Sequence, residues 1–365
     1  MPLLQEIINS IEVFAPLSLQ EDYDNAGLLV GNRETEIRKA IVSLDCIEKV
    51  VDEAIANEAN LIICHHPILF KGIKSLTGAN YIEKVIIKAI KNDIAIYAAH
   101  TNLDNVKQGV NAKIAEKLGL QNISVLQPKS NMLNLLYVYV PKSHADKVRD
   151  ALFAAGAGNL GNYSHCSFNI SGEGTFWAQE GAKPFVGDKE NIHTEDEVKI
   201  EVIFNKSLKY NILSNLFESH PYEEIAYGIL ELSNSNQLIG AGMIGELSKE
   251  MTHNEFLELL KMNMQTQMIR YTTASQKYIK KIAMCGGAGS FLLNEAKSRG
   301  ADAFITGDFK YHEFFDAENE IMICDIGHYE SEQFTSEIFI DLLSEKFPNF
   351  AVQISNVNTN PVHYY

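Results

Sequence analysis

Residues with the chemistry of metal ligands fall in three short segments near opposite ends of the chain. They are His65 and His66 in Cys-His-His-Pro (64–67), Asp104 in His-Thr-Asn-Leu-Asp (100–104), and His328 with Glu332 in Gly-His-Tyr-Glu-Ser-Glu (327–332). Neutral imidazole and carboxylate are ordinary ligands of borderline first-row metals, and a shared carboxylate allows two ions to lie side by side. The sequence therefore predicts a site for two divalent ions, with zinc, iron, manganese or nickel favoured over calcium or magnesium.

Each of these segments follows an apolar run that is typical of a buried parallel strand, at residues 61–64, 94–99 and 321–326. Ligands bind at the carboxyl ends of strands in open α/β sheets. His328 and Glu332 are four residues apart, which places both on one face of a helix predicted to start near Glu330. A single histidine at a strand end is usually a polar turn residue. The joint occurrence favours a metal site, since four of the 11 histidines lie at these ends.

Length, charge and cysteine spacing limit the class of protein. The 365 residues exceed the ~100 to 200 of a typical domain, so two domains are expected. A net charge of −16 excludes a basic surface for nucleic acid. No apolar run approaches the ~20 residues of a membrane span, and the N-terminus lacks the features of a signal peptide. Five widely spaced cysteines predict no disulfide framework, so we expect a cytoplasmic protein without a membrane partner.

The pattern changes character twice along the chain. Residues 1–127 and 245–365 alternate strands and helices, which predicts a doubly wound α/β core. After a polar break at 127–131, residues 128–244 follow a β-α-β-β-α-β order that is typical of a ferredoxin-like α+β domain. Its elements are predicted at 133–140 (strand), 145–155 (helix), 163–170 (strand), 198–204 (strand), 208–220 (helix) and 225–232 (strand). Because the predicted ligands flank this middle part, it must be inserted into a discontinuous core.

These segments, with Thr-Gly-Asp-Phe-Lys-Tyr-His (306–312) and Asp-Asn-Ala-Gly-Leu (24–28), resemble the Nif-three-like family labelled GTP cyclohydrolase I type 2 homologues. Residues 128–244 are similar to the PII/CutA-like insertion of its longer bacterial members. The resemblance implies that His66 and Asp104 hold one ion, that His65 and His328 contribute to the other or share in it, and that Glu332 bridges them. It also implies a toroidal homohexamer whose metal sites face an internal cavity. Tyr23 stands where many relatives have Trp, outside the ligand set.

Two divalent ions favour metal-dependent hydrolysis, here of a nucleotide or another phosphate-containing small molecule. His100, Asp308 and His312 are the candidate catalytic residues, which we expect to orient ligands or move protons rather than coordinate metal. His100 or His312 is expected to carry the proton. The glycine run Gly286–Gly289 either cradles a phosphate at a helix N-terminus or forms a tight turn.

A second class of function stays open at this point. The protein could be a non-catalytic metal-binding or regulatory hexamer, in which the inserted domain responds to a small-molecule effector. The ligand set serves a phosphoesterase or an amidohydrolase equally well, and nothing in the sequence excludes a metal-binding or metal-sensing protein, so residue types alone do not separate these functions.

Overall fold

The computed structural model describes residues 1–365 and divides into two compact units. The core unit comprises Met1–Pro128 and Leu238–Tyr365, and the inserted unit comprises Lys129–Gln237. The helices are α1 (Leu4–Phe14), α2 (Glu48–Ala56), α3 (Tyr81–Lys91), α4 (Thr101–Asp104), α5 (Val110–Lys117), α6 (Ala145–Ala154), α7 (Lys209–Ser219), α8 (His253–Asn263), α9 (Leu293–Ser298), α10 (His328–Glu332) and α11 (Thr335–Lys346). None of them has the length and apolar character needed to cross a membrane.

The strands form three sheets. They are β1 (Gly27–Val30), β2 (Lys39–Ser43), β3 (Leu61–Cys64), β4 (Ala95–Ala98), β5 (Gln121–Lys129), β6 (Leu133–Pro141), β7 (Phe168–Phe176), β8 (His193–Asn205), β9 (Tyr227–Leu232), β10 (Asn236–Thr252), β11 (Arg270–Tyr271), β12 (Tyr278–Ala288), β13 (Ala303–Gly307), β14 (Met322–Asp325) and β15 (Ala351–Ile354). Two sheets belong to the core unit and one to the inserted unit.

The first core sheet has the order β1-β4-β3-β2-β15, in which β15, β2, β3 and β4 are parallel and β1 is antiparallel. Its central strands are apolar on both faces because helices cover both. One face packs on α2 and α3 through residues such as Ile62 and Val85. The other face, including Ile63, packs on α1 and α11.

The second core sheet has the order β11-β14-β13-β12-β10-β5, with β12, β13 and β14 parallel. One face of this sheet contributes Met284 and Ile305 to the same hydrophobic cluster that covers the first sheet. The opposite face packs on α9 through Phe304 and Ala296. Helices therefore lie on both faces of each sheet, and the predicted α/β class is confirmed.

Strand register explains why the candidate ligands meet. In the parallel pair β3 and β4, Cys64 is the partner of Ala98, so the residues that follow both strands leave the sheet at the same edge. In the second sheet, the end of β14 leads through Gly327 directly into α10. This helix begins at His328, two residues before the predicted start near Glu330.

The inserted unit has the β-α-β-β-α-β order that the sequence predicts. Its strands are antiparallel in the order β7-β8-β6-β9, and α6 and α7 pack on one face of the sheet. The unit's entry and exit are adjacent, since Ser130 Oγ lies 3.2 Å from Ser235 Oγ. The ferredoxin-like classification of this unit stays a prediction.

Some predicted boundaries were wrong. The strand expected at 163–170 is β7, which begins only at Phe168. Gly158, Gly161 and His165 have positive φ, and Cys166 N–H donates to Gly158 O, so this stretch closes a loop. The polar break expected at 127–131 begins inside β5, because this strand, which lies beside β10, ends only at Lys129.

Candidate metal centre

Four histidines of the core unit have one ring nitrogen held by the protein. The Nδ1 atoms lie 2.8 Å from Ala99 O for His65, 2.8 Å from Asp45 Oδ1 for His66, 2.8 Å from Asp24 Oδ1 for His100, and 2.7 Å from Asp308 Oδ2 for His328. A carbonyl or carboxylate that accepts from Nδ1–H fixes the ring orientation and leaves Nε2 as the metal-binding atom. In all four rings Nε2 is therefore the atom available to bind a metal ion or to carry a proton.

Three of the free nitrogens, those of His65, His66 and His328, converge on two carboxylates. Glu332 Oε2 lies 3.0 Å from His66 Nε2 and 3.2 Å from His328 Nε2, whereas Oε1 lies 3.8 Å from His65 Nε2. Asp104 Oδ1 lies 3.6 Å from His65 Nε2. The two oxygens of Glu332 thus face two different groups of donors, as a bridging carboxylate requires.

Three overlapping sets have all their donor atoms within 4.8 Å of one another: His65, Asp104 and Glu332; His66, His328 and Glu332; and His65, His66 and His100. This grouping places Asp104 with His65, whereas the resemblance paired Asp104 with His66. The imidazole and carboxylate donors suit a borderline divalent cation.

Two buried polar atoms in the cluster lack hydrogen-bond partners, His65 Nε2 and Asp104 Oδ1. Buried polar atoms in folded proteins are nearly always paired, because an unpaired one costs roughly 1–3 kcal/mol. A cation between these two atoms would satisfy both. The residues present therefore fit a metal ion.

Charge is unevenly distributed among the histidines of the metal-free cluster. Burial lowers the pKa of His65 to about 4, so this ring is neutral and ready to coordinate. Burial also acts to lower the pKa of His66, but hydrogen bonds to Asp45 and Glu332 outweigh it and raise the pKa to about 10. Burial also acts to lower the pKa of His328, but hydrogen bonds to Glu332 and Asp308 outweigh it and raise the pKa to about 9. His66 and His328 therefore hold protons at neutral pH until a cation displaces them.

The two central carboxyl groups, of Asp104 and Glu332, also have pKa values shifted in opposite directions. Burial raises the pKa of Asp104, and the negative charge of Glu332 raises it further. Burial opposes ionisation of Glu332 too, but hydrogen bonds from His328 and His66 hold its pKa well below the usual range. Glu332 is thus the permanent anion of the cluster.

The glycine run lies against this centre. The amides of Gly286, Gly287 and Gly289 donate to Asn111 Oδ1 (3.0 Å), Ser331 Oγ (2.9 Å) and Thr306 Oγ1 (2.9 Å). A Cβ atom at Gly286 would lie 3.2 Å from Glu332 Cγ. These amides are used within the protein, so the close-packing interpretation is favoured over a phosphate cradle.

The five predicted ligands (His65, His66, Asp104, His328 and Glu332) lie together, and His100 lies with them. Asp308 reaches the cluster through His328. His312 does not join it: its exposed ring packs on Tyr311 and Phe315, within the 3₁₀ helix Tyr311–Ala317.

Sequence reasoning missed the roles of Asp24 and Asp45. Asp45 follows β2 at the same sheet edge as His66, and this position was the available signal. Asp24 also accepts from Thr101, and no strand pattern marks it. Burial acts to raise the pKa of Asp24, but the bonds from His100 and Thr101 lower it to about 2.

Comparison with known proteins gives matches along the whole chain. A family model described as Duf34/NIF3 (NGG1p interacting factor 3) matches residues 2–361. A protein of Halalkalibacterium halodurans named GTP cyclohydrolase 1 type 2 homolog is 40% identical over 362 residues, which cover 98% of this chain and 97% of the relative. A Bacillus subtilis protein of the same name is 38% identical, with the same coverage of 98% and 97%.

The fold has a solved counterpart of similar length. The crystal structure of a Bacillus cereus protein related to NIF3 is 39% identical and has a TM-score of 0.88. The match covers 100% of this chain and 99% of that one. Both units therefore have counterparts in the solved protein.

Proposed function

The chain belongs to the Duf34/NIF3 family, and we propose that it is a dinuclear metal-dependent hydrolase acting on a nucleotide or another phosphate-containing small molecule. His65 and Asp104 would hold one divalent ion, His66 and His328 would hold the other, and Glu332 would bridge them. Zinc, iron, manganese and nickel suit these donors. The name shared by the relatives favours GTP as the first substrate to test.

One observation carries this proposal. Three imidazoles, those of His65, His66 and His328, present Nε2 to Glu332, and the imidazole of His100 lies beside the first two. Each of the four rings has its Nδ1 held by an acceptor of the protein. Such preorganisation orients ligands and raises their basicity. A structural core would have no need of three imidazoles around Glu332, which is only 4% exposed at its side chain.

The residues of the chain have distinct roles in hydrolysis. Bound divalent ions supply Lewis-acid polarisation of a phosphoryl or carbonyl oxygen and lower the pKa of water. Glu332 supplies the negative charge between the two donor groups, and Asp45 and Asp308 hold His66 and His328 in place. His100 carries the proton at Nε2, because Asp24 accepts its Nδ1–H and keeps the ring aimed at the cluster.

Coordination by His100 is the competing assignment, since its donor atom lies within 4.8 Å of those of His65 and His66. The substitution His100→Ala separates the two roles. As a proton carrier, His100 is required for turnover but not for metal content. As a ligand, it is required for both.

Purified protein loaded with each metal in turn should hydrolyse at least one member of a panel of nucleoside mono-, di- and triphosphates. Activity should vanish with a chelator, return with metal, and be lost in Glu332→Gln. Metal-loaded protein of native fold that turns over nothing in the panel would favour the second candidate, a non-catalytic metal-binding regulator. The separate inserted unit is the observation that favours that candidate.

We further propose a toroidal homohexamer, as the family resemblance implies, with the metal centres facing an internal cavity. Sedimentation velocity of the full chain tests this assembly, and a monomer at micromolar concentration would contradict it.

A cytoplasmic location is also proposed. The five unpaired cysteines agree with a reducing compartment.

A further inference from the structure

The sheet of the inserted unit has one face that its helices do not cover. Val198 and Ile200 of β8 point to the face that packs on α6 and α7. Side chains alternate along a strand, so Glu197 and Lys199 point to the opposite face. There they line a cavity of about 700 Å³, whose wall also includes residues of the segments 177–185 and 222–226.

Aromatic rings form much of the cavity wall. They are Tyr139, Phe176, Trp177, Phe185 and Tyr222. The ring centroids of Phe176 and Phe185 each lie 6.3 Å from that of Tyr222. Trp177 is 55% exposed and Phe185 is 50% exposed, although both are large apolar groups. Exposed rings grouped around a concave site are typical of ligand binding.

Carboxylates dominate the charged groups of the same cavity. Glu173, Glu197, Glu223 and Glu224 line it, and Lys199 is its single lysine. Lys199 Nζ is engaged elsewhere, 2.6 Å from Glu201 Oε1 and over the ring of Tyr137. Glu197 Oε1 accepts from the hydroxyl of Tyr222 at 3.1 Å. The cavity thus combines aromatic faces with excess negative charge.

Two glycines of β7, Gly172 and Gly174, shape the cavity wall beside Glu197. Gly172 is the register partner of Glu197, and a Cβ atom built on Gly172 meets nothing within 4 Å. A Cβ at Gly174 would lie 2.1 Å from Glu197 Oε2. Gly174 therefore gives the carboxylate room to lie against the strand, and Gly172 leaves open space beside it.

We propose that this cavity binds a planar organic cation, with a heteroaromatic ring against the aromatic wall and its positive charge beside Glu197. Ring faces attract cations, most strongly where water is excluded, and a nearby carboxylate adds to the attraction. A polyphosphate is disfavoured by the four carboxylates. The proposal concerns the inserted unit alone and is independent of the metal chemistry.

Trp177 is the single tryptophan of the chain, so its fluorescence reports on this cavity alone. The full-length protein is titrated with N-methylquinolinium, and in parallel with neutral 4-methylquinoline at mildly alkaline pH. The cation should give a saturable fluorescence change, matched by calorimetry, and should bind at least about ten-fold more tightly than the neutral ring.

Two substitutions test the geometry, each with a matched control. Gly172→Leu should fill this open space in the cavity wall and weaken cation binding at least about ten-fold, whereas Gly72→Leu, at another glycine with open space, should not. Glu197→Gln should remove most of the preference for the cation. Glu231→Gln, which changes an exposed glutamate paired with Lys206, should leave it intact.

Quenching that rises linearly without saturation would overturn the proposal, because it reports collisions rather than binding. Equal affinity for the neutral ring would overturn the charge assignment. A change in sedimentation mass on Gly172→Leu, without saturable binding by the original protein, would show that the face instead contacts a second copy of the chain. Circular dichroism checks that each variant is folded.

Discussion

The backbone of Gly287 lies directly against the carboxylate of Glu332. A Cβ atom at Gly287 would lie 2.5 Å from Glu332 Oε1, and the φ angle of Gly287 is +62°. The Gly287 amide also donates to Ser331 Oγ at 2.9 Å, which ties the end of β12 to α10. The glycine run thus fixes the position of the carboxylate that faces both groups of histidines.

Gly287→Ala is expected to displace Glu332 and reduce metal content. The left-handed backbone costs an L-residue roughly 1–2 kcal/mol, and the contact with Oε1 adds to this. Gly300→Ala is the matched control, because its φ is +69° and a Cβ there meets nothing within 4 Å. Thermal unfolding should show the cost of the left-handed backbone in both variants, and elemental analysis should show metal loss only in Gly287→Ala. Equal metal content would contradict the proposed coupling.

Glu332→Gln should weaken both ion sites together, because one carboxylate faces both donor groups. The neutral amide keeps the size of the side chain but removes the charge that offsets two cations. Glu337→Gln, on the neighbouring helix α11, is the control, since that residue pairs with Lys117 away from the cluster. Equilibrium dialysis with zinc or manganese measures the loss. Two ions held at unchanged affinity would refute the bridging role.

Asp308→Asn and His312→Ala should behave differently, although both residues lie in the segment 306–312. Asp308 holds His328 at 2.7 Å, so its loss should reduce metal affinity or activity by ~10- to 100-fold. His312 packs on Tyr311 and Phe315, and its substitution should leave metal binding near that of the original protein. Loss of metal in His312→Ala would show that His312 does contribute to the metal site.

Metal binding should release protons and tighten as the pH rises above neutrality. In the metal-free protein the pKa of His66 is raised to about 10 and that of His328 to about 9. Both rings must lose a proton to coordinate, and the raised pKa of Asp104 adds to the release, so at least about two protons should leave per chain at neutral pH. Calorimetry in buffers of different ionisation enthalpy counts them. Binding without proton release would contradict these protonation states.

The same shifts predict opposite trends in stability. A raised pKa stabilises the metal-free fold fully below about 6.5, and this contribution is lost as the pH rises through the folded pKa values. Metal-free protein should therefore lose thermal stability from neutral to alkaline pH, while metal-loaded protein gains because its ligands are deprotonated. Parallel scanning calorimetry of both forms tests the difference.

The core unit is expected to fold and bind metal after the inserted unit is deleted. Ser130 and Ser235 lie side by side, so replacing residues 131–234 by Asn-Gly would join β5 to β10 through a tight turn. The cut must not extend to residue 243, because Met243 of β10 already pairs with Met284 of β12 in the core sheet. The shortened protein is expected to be soluble and to bind metal. Aggregation or failure to bind would show that the core depends on the inserted unit.

The sequence by itself determined the α/β class and pointed to the candidate ligand residues. Strand β3 was predicted to the residue, and β4 and β14 to within two residues, because short apolar runs bounded by polar turns leave few alternatives. Strands of four residues with mixed burial, such as β1 and β15, gave no comparable periodic signal. The loop before β7 was misassigned because its left-handed residues leave no mark in a hydropathy pattern.

Only the tertiary structure decided how the ligands are grouped and held. Glu332 and His65 are far apart in the chain, and no spacing rule could tell that Oε1 of one faces Nε2 of the other at 3.8 Å. The same holds for Asp45 and His66, and for the exclusion of His312 from the cluster. Residue types and strand ends are local properties of the chain. Distances between side chains depend on sheet register and helix packing, which involve the whole fold at once.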